Sequence, residues 1–169
     1  MDKERLNICV KNAKKGDASA FGELYEAFAE ELYRFALWYL RDPDDAQDAV
    51  QTCALNAYRN IAAVRTAESF RPWLFRILAN ACADLFRSKR KQVVIPLEEV
   101  QTPSWDDYQD GSVLRLLDRL DETDRQIVTL AVLGDWNSTE IAHLLGGKPA
   151  TVRSRLSRSL KKLRDAYEA

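Results

Sequence analysis

Histidine is almost absent from this chain: His143 is the one imidazole in 169 residues. Nucleophilic and acid–base hydrolysis lean on such groups, so a hydrolase is disfavoured from the outset and no catalytic residue is assigned. Cysteine is scarce too. Cys9, Cys53 and Cys82 stand far apart, and an odd number without metal-ligand spacing points to reduced thiols in a cytosol. Each falls on an apolar helical stripe, which suggests buried packing. No run of 18 apolar residues occurs, so no membrane span is expected. The start, Met1-Asp2-Lys3-Glu4-Arg5, leads into a helical pattern rather than a signal-peptide core; the expected location is the cytoplasm. Strand signals are lacking. Val93-Val94-Ile95 is too short and abuts Pro96. No metal or other cofactor is expected.

Net charge is also nearly absent, at −1. It is segregated, however. Residues 148–169 carry seven Lys/Arg against two Asp/Glu, and residues 92–147 carry three against eleven. A near-neutral total would argue against nucleic acid, but a local basic face is what matters for binding it.

That basic segment follows Ser138-Thr139-Glu140-Ile141-Ala142-His143-Leu144-Leu145-Gly146-Gly147. Ser138 is read as an N-cap, and the paired glycines stop the helix. Lys148-Pro149-Ala150 restarts it, with proline near the first turn. Two short helices joined by a glycine turn, the second one basic, form a helix-turn-helix that offers a helix to the DNA major groove. At 100° per residue, Val152, Leu156, Leu160 and Leu163 fall within roughly 80° and are expected to pack inward. Ser154, Ser157, Arg158 and Lys161 lie opposite, with Arg153 and Arg155 on the flanks. Small hydroxyls with long cations suit base edges and phosphates.

The rest of the chain reads as helices. One opens with Leu6, Val10 and Ala13 and ends at Gly16-Asp17. A second runs from Ala18 to about Leu40. A third starts at Asp42-Pro43-Asp44-Asp45, with a cap, a first-turn proline and early acids, and runs to about Ile61. A fourth spans about 70–91. Residues 92–111, with Pro96, Pro103, Gly111 and clustered acids, read as a flexible acidic linker. Helices near 112–120, 122–133, 138–145 and 149–166 follow. The fold class is therefore all-α: two small helical domains, 1–91 and 112–169, joined by the linker.

Several segments carry a resemblance. Ser69-Phe70-Arg71-Pro72-Trp73-Leu74-Phe75-Arg76-Ile77-Leu78-Ala79-Asn80, with Asp84 and Arg87-Ser88-Lys89-Arg90-Lys91, resembles the promoter-melting region of bacterial sigma factors. Asp44-Asp45-Ala46-Gln47-Asp48-Ala49-Val50-Gln51 is similar to their core-polymerase-binding helix. Gly16-Asp17-Ala18-Ser19-Ala20-Phe21-Gly22-Glu23-Leu24-Tyr25 resembles their opening segment. Thr151-Val152-Arg153-Ser154-Arg155-Leu156-Ser157-Arg158 resembles their minus-thirty-five recognition helix. Four motifs in order, without an intervening third domain, are similar to the extracytoplasmic-function (ECF) group.

The resemblance implies core RNA polymerase, promoter DNA and an anti-sigma factor as partners. It implies polymerase contacts at Asp45, Asp48, Gln51 and Thr52; Gln47 and Thr52 stand where the family commonly has acids. It implies that Asn60 to Ser69, with Val64 and Arg65, forms the loop that takes the non-template strand. Arg76 and Asn80 would approach the minus-ten bases, and Arg87, Lys89, Arg90 and Lys91 the phosphates. Flipped bases are held by stacking and hydrogen-bonding side chains. Thr151, Arg153, Ser154, Arg155, Ser157, Arg158 and Lys161 would meet the minus-thirty-five duplex.

Blander readings compete at single positions. Trp73 is more simply a core aromatic, and Asn80 fits an internal polar network as well as a base contact. Asp44 and Asp45 match the helix N-terminal dipole. Asp42, Asp44, Asp45 and Asp48 could imitate a metal site. A helix-turn-helix regulator with a helical sensing domain is the rival function, but it would not need the Asp-Ala-x-Asp-x-x-Gln pattern.

Overall fold

A computed structural model describes residues 1–92, 116–117 and 119–169, and side chains up to Lys89 in the first stretch. The chain falls into two compact units, Met1–Gln92 and Val93–Ala169. Among the described residues there are helices and turns and no strand. Of the expected linker at 92–111, Gln92 belongs to the helix that begins at Phe70, and the rest, with most of the expected 112–120 helix, lies outside the described residues.

The first unit has four helices: α1 (Lys3–Ala13), α2 (Ala18–Leu40), α3 (Pro43–Asn60) and α4 (Phe70–Gln92). Aspartates set three starts. Asp2 accepts from the Arg5 amide, Asp17 from the Ser19 and Ala20 amides, and Asp42 from the Asp44 and Asp45 amides. Each satisfies donors that a helix N-terminus leaves unpaired. The break between α1 and α2 uses Gly16 at φ 94°, a conformation glycine adopts without a Cβ clash.

Helix α3 buries small residues. Ala46, Ala49, Cys53 and Ala57 are each 0% exposed, and both α2 and α4 pack against α3. The larger volume comes from those neighbours: Leu24, Leu32 and Phe35 on α2, and Phe70, Leu74, Phe75 and Leu78 on α4. Each such side chain contributes about 1.5–3 kcal/mol by leaving water. Phe35 meets Phe75 edge-on, with ring centroids 5.6 Å apart. Glu31 of α2 pairs with Arg71 of α4, whose guanidinium also sits 4.8 Å from the Phe75 ring centroid. Trp73 is half-buried against Phe70 rather than fully in the core.

The three thiols are buried and unpaired with one another. Burial pushes Cys53 up to about 12 and raises Cys82 as well.

The second unit contains α5 (Glu122–Val132), α6 (Ser138–Leu145) and α7 (Pro149–Glu168). Asn137, not Ser138, caps α6. Its side chain accepts from the Thr139 and Glu140 amides while Glu140 accepts from the Asn137 amide at 2.9 Å. The reciprocal box wins because one pair of side chains satisfies three backbone donors. Gly146, at φ 71°, ends α6, and the Gly147 amide donates back to the Ala142 carbonyl at 2.8 Å. Gly134, between α5 and α6, is fixed by space: a Cβ there would lie 2.8 Å from the Leu130 carbonyl oxygen and 2.9 Å from the Trp136 ring. The core holds Leu117, Leu120, Ile127, Val128, Leu130, Trp136, Ile141, Ala142 and Val152.

The inward stripe of α7 differs from the expected one. Ser159 is 1% exposed and Leu160 is 38% exposed. The helix is rotated so that Val152, Ser159 and the flank of Arg155 turn inward. A charge cluster beneath Arg155 accounts for this setting.

Candidate nucleic-acid interface

On α7 the side chains of Thr151, Arg153, Ser154, Ser157, Arg158 and Lys161 are exposed. Arg153, Ser154, Ser157 and Arg158 line one shallow, open concavity. Arg155 is placed otherwise. Its Nε donates to Asp124 Oδ1 at 2.6 Å, and its Nη2 donates to both carboxylate oxygens of Asp121 at 2.9 Å. Asp121 is also the N-cap of α5, accepting from the Asp124 amide at 2.8 Å. One carboxylate therefore closes α5 and grips α7. The Asp124 pairing raises Arg155 above its ordinary value, and the Asp124 amide, with Arg155, lowers Asp121. Arg155 turns inward to acids of its own unit, unlike the six exposed residues, because a planar guanidinium matches two carboxylates at once. No sequence spacing marks that pair, since the partners lie 31 and 34 positions apart.

On α3 the expected polymerase residues separate. Asp48, Gln51 and Thr52 are exposed, as is Gln47. Asp45 is 8% exposed and pairs with Lys89 of α4, which also approaches Asp42 at 3.7 Å. A residue expected to face polymerase and one expected to face phosphate thus engage each other, and Asp45 in particular raises Lys89. Leu55 joins the exposed face of α3, although its residue type gave no polar signal. It is 57% exposed, one turn beyond Gln51 and Thr52 on the same face. The signal available was a leucine off the apolar stripe.

Between α3 and α4 a short 3₁₀ turn (Ile61–Ala63) leads into a loop. Asn60 and Arg65 are exposed and Ser69 is half-exposed. Val64 is a correction: at 1% exposed it anchors the loop in the core, as an apolar side chain beside a packed helix end should. Along α4, Arg76, Asn80 and Arg87 are exposed on one face. Asn80 therefore does not belong to an internal network. Arg87 lies 3.9 Å from Asp84, a loose surface pair. The side chains of Arg90 and Lys91 lie outside the described residues.

Of the carboxylates expected to imitate a metal site, Asp42 caps α3 and Asp45 pairs with Lys89. Among the described residues no group of three His, Cys, Asp or Glu side chains could hold a metal ion. Among them, too, no helix is long and apolar enough to cross a membrane.

A glycine-turned helix pair with a row of exposed cations and hydroxyls on the second helix defines a helix-turn-helix DNA-binding class. The family comparisons carry this further. Residues 24–92 match the Sigma-70 region 2 family, and residues 110–163 match Sigma-70, region 4. The chain is 32% identical over 138 residues to the Bacillus subtilis RNA polymerase sigma factor SigV, covering 80% of this chain and 83% of that one. It is 31% identical over 151 residues to the Mycobacterium tuberculosis ECF RNA polymerase sigma factor SigM, covering 88% and 77%. Among solved structures, CnrH in complex with the cytosolic domain of CnrY superposes with TM-score 0.67 at 25% identity, covering 97% of each chain. The fold is also that of the Bartonella quintana sigma factor RpoE in its complex with the anti-sigma factor NepR, with TM-score 0.69 at 20% identity and coverage of 88% and 97%. The chain belongs to the ECF group of RNA polymerase sigma factors, and its function is promoter-directed initiation of transcription.

Proposed function

We propose that the exposed face of α3 (Asp48, Gln51, Thr52 and Leu55) binds core RNA polymerase. The 60–69 loop and the outer face of α4 take the melted minus-ten strand, and the exposed face of α7 reads the minus-thirty-five duplex. The observation that carries this reading is segregation within each helix. Asp48, Gln51, Arg76, Asn80, Ser154 and Arg158 are all exposed, on helices whose other faces are packed.

The proposed roles follow from the chemistry. Arg158 and Lys161 supply long cations for phosphates or guanine edges, and Ser154 and Ser157 leave room for close approach to the groove. Asn80 offers both a donor and acceptors, as a side chain reading an unstacked base needs. Arg155 is left out of the reading face, and Asp45 out of the polymerase face.

As a non-enzymatic specificity subunit, the protein would work in the cytoplasm beside polymerase. A protein partner that regulates this chain, an anti-sigma factor, is also proposed; CnrH, which shares the fold, is in complex with the cytosolic domain of CnrY. The test is reconstitution with core RNA polymerase on a randomised promoter library. Selection of one two-part DNA motif by the holoenzyme, and none by core alone, supports the reading. A chain that binds DNA but not core would return it to the regulator class.

A further inference from the structure

The loop between α3 and α4 has little regular structure, yet it is fastened at several points. Val64 is 1% exposed and Ala67 6% exposed, so two of its side chains are sunk in the unit. Thr66 and Ser69 clasp each other. The Thr66 amide donates to Ser69 Oγ at 3.1 Å, the Ser69 amide to Thr66 Oγ1 at 3.2 Å, and Ser69 Oγ to the Thr66 carbonyl at 2.8 Å.

The remaining fastening comes from far away in sequence. Lys14, at the end of α1, donates from Nζ to the Val64 carbonyl oxygen at 2.5 Å, in partly buried surroundings. Its own backbone is fixed, because its amide donates to the Val10 carbonyl. A second link from α1, Lys3 to Glu68 at 3.2 Å, joins side chains that are 77% and 58% exposed, and such pairs contribute little.

Between the anchors at Val64 and Ala67, Arg65 and Thr66 project outward. A loop ordered before DNA arrives does not lose that freedom on binding, which favours capture. We propose that Lys14 is a positioning residue for strand capture: by holding the Val64 carbonyl it fixes the loop in the shape that meets the melted bases. This rests on the assignment of the loop to minus-ten DNA given above.

The experiment uses full-length protein with core polymerase and a fork-junction DNA. The DNA is a promoter selected by wild-type holoenzyme from a randomised library, single-stranded over the minus-ten segment. Lys14→Ala should weaken capture of the single-stranded segment about tenfold, the size expected for losing one charge-assisted hydrogen bond. It should also flatten base preference within that segment. Affinity for core and for the minus-thirty-five duplex should stay at wild-type levels, and Lys14→Arg should restore capture. Lys3→Ala, which removes only the exposed pair, should leave capture unchanged. A folded Lys14→Ala protein with wild-type capture and base preference would overturn the inference. So would loss of the helical signal in that variant, since Lys14 would then hold the domain rather than the loop. If wild-type holoenzyme selects no DNA at all, the functional assignment falls first and the inference falls with it.

Discussion

Replacing Arg155 with alanine should unfasten the recognition helix from its own domain rather than remove a base contact. The size follows from the two carboxylates. The Asp121 side chain is 62% exposed, so its share is at most about 1 kcal/mol. The Asp124 side chain is 16% exposed, and stripping its cation leaves a largely desolvated carboxylate, at a cost of about 1–3 kcal/mol. A total near 2 kcal/mol should lower the melting temperature of the second unit by about 8–16 °C, at roughly 4–8 °C per kcal/mol for a unit of this size. Circular dichroism melts of the full chain would show it. Binding to promoter DNA should weaken evenly across base substitutions, because the whole helix is displaced.

Arg158→Ala is the contrast. It should cost about 1–3 kcal/mol of binding and relax preference at one position, with no change in melting. Acid sharpens the comparison. The folded-state value of Asp121 lies below its unfolded one, so its stabilisation is present at neutral pH. That stabilisation is lost as pH falls from about 4 through the folded value. Without Arg155 that acid dependence should shrink, though not vanish, since the Asp124 amide still supports the carboxylate. An Arg155→Ala protein with wild-type melting and an altered preference at a single base would refute the argument and return Arg155 to the reading face.

Other perturbations separate the remaining surfaces. Asp48→Ala and Gln51→Ala should reduce core binding in a competition assay with normal circular dichroism, and Leu55→Ala should reduce it as well, by removing apolar surface that binding would take out of water. Unchanged affinity in all three would remove α3 from the polymerase interface. Arg76→Ala and Asn80→Ala should lower permanganate reactivity near the start site more than closed-complex binding; equal losses would make them duplex contacts. Gly134→Ala should destabilise the second unit by about 1–3 kcal/mol through overpacking, seen as an earlier melt, because its Cβ would press on the Leu130 carbonyl and Trp136.

Local chemistry made much of the helical architecture legible in advance. Asp42-Pro43 and Gly146-Gly147 announce a start and a stop by capping and backbone freedom, and both lie where the structure begins α3 and ends α6. Composition along α3 likewise separated the buried Ala46, Ala49 and Cys53 from the exposed Asp48 and Gln51. The rest depended on distant partners. Ser138 is an acceptable cap, but Asn137 with Glu140 is a better one, and only the folded turn decides between them. Leu160, expected to pack inward, lies exposed on a helix whose Arg155 is drawn toward Asp121 and Asp124, a force that periodicity does not contain. Asp45 and Lys89 read as members of two different surfaces until the tertiary structure brings the end of α4 to the start of α3. Val64 gave no sign of its burial, since it lies past the end of α3, where helical periodicity no longer marks which side chains turn inward.

All three cysteines lie in the first unit, and none lies in residues 93–169. Their exposures are 2%, 0% and 0%, and buried, protonated thiols are poor nucleophiles. A thiol reagent added to the native protein therefore has to wait for the first unit to open. Its labelling rate reads that opening alone, however the second unit behaves, and turns a two-unit melt into two separately measurable transitions. The same shielding lets a cysteine introduced on the face of α7 take up a fluorophore without removal of the native three, giving each half of the protein its own reporter.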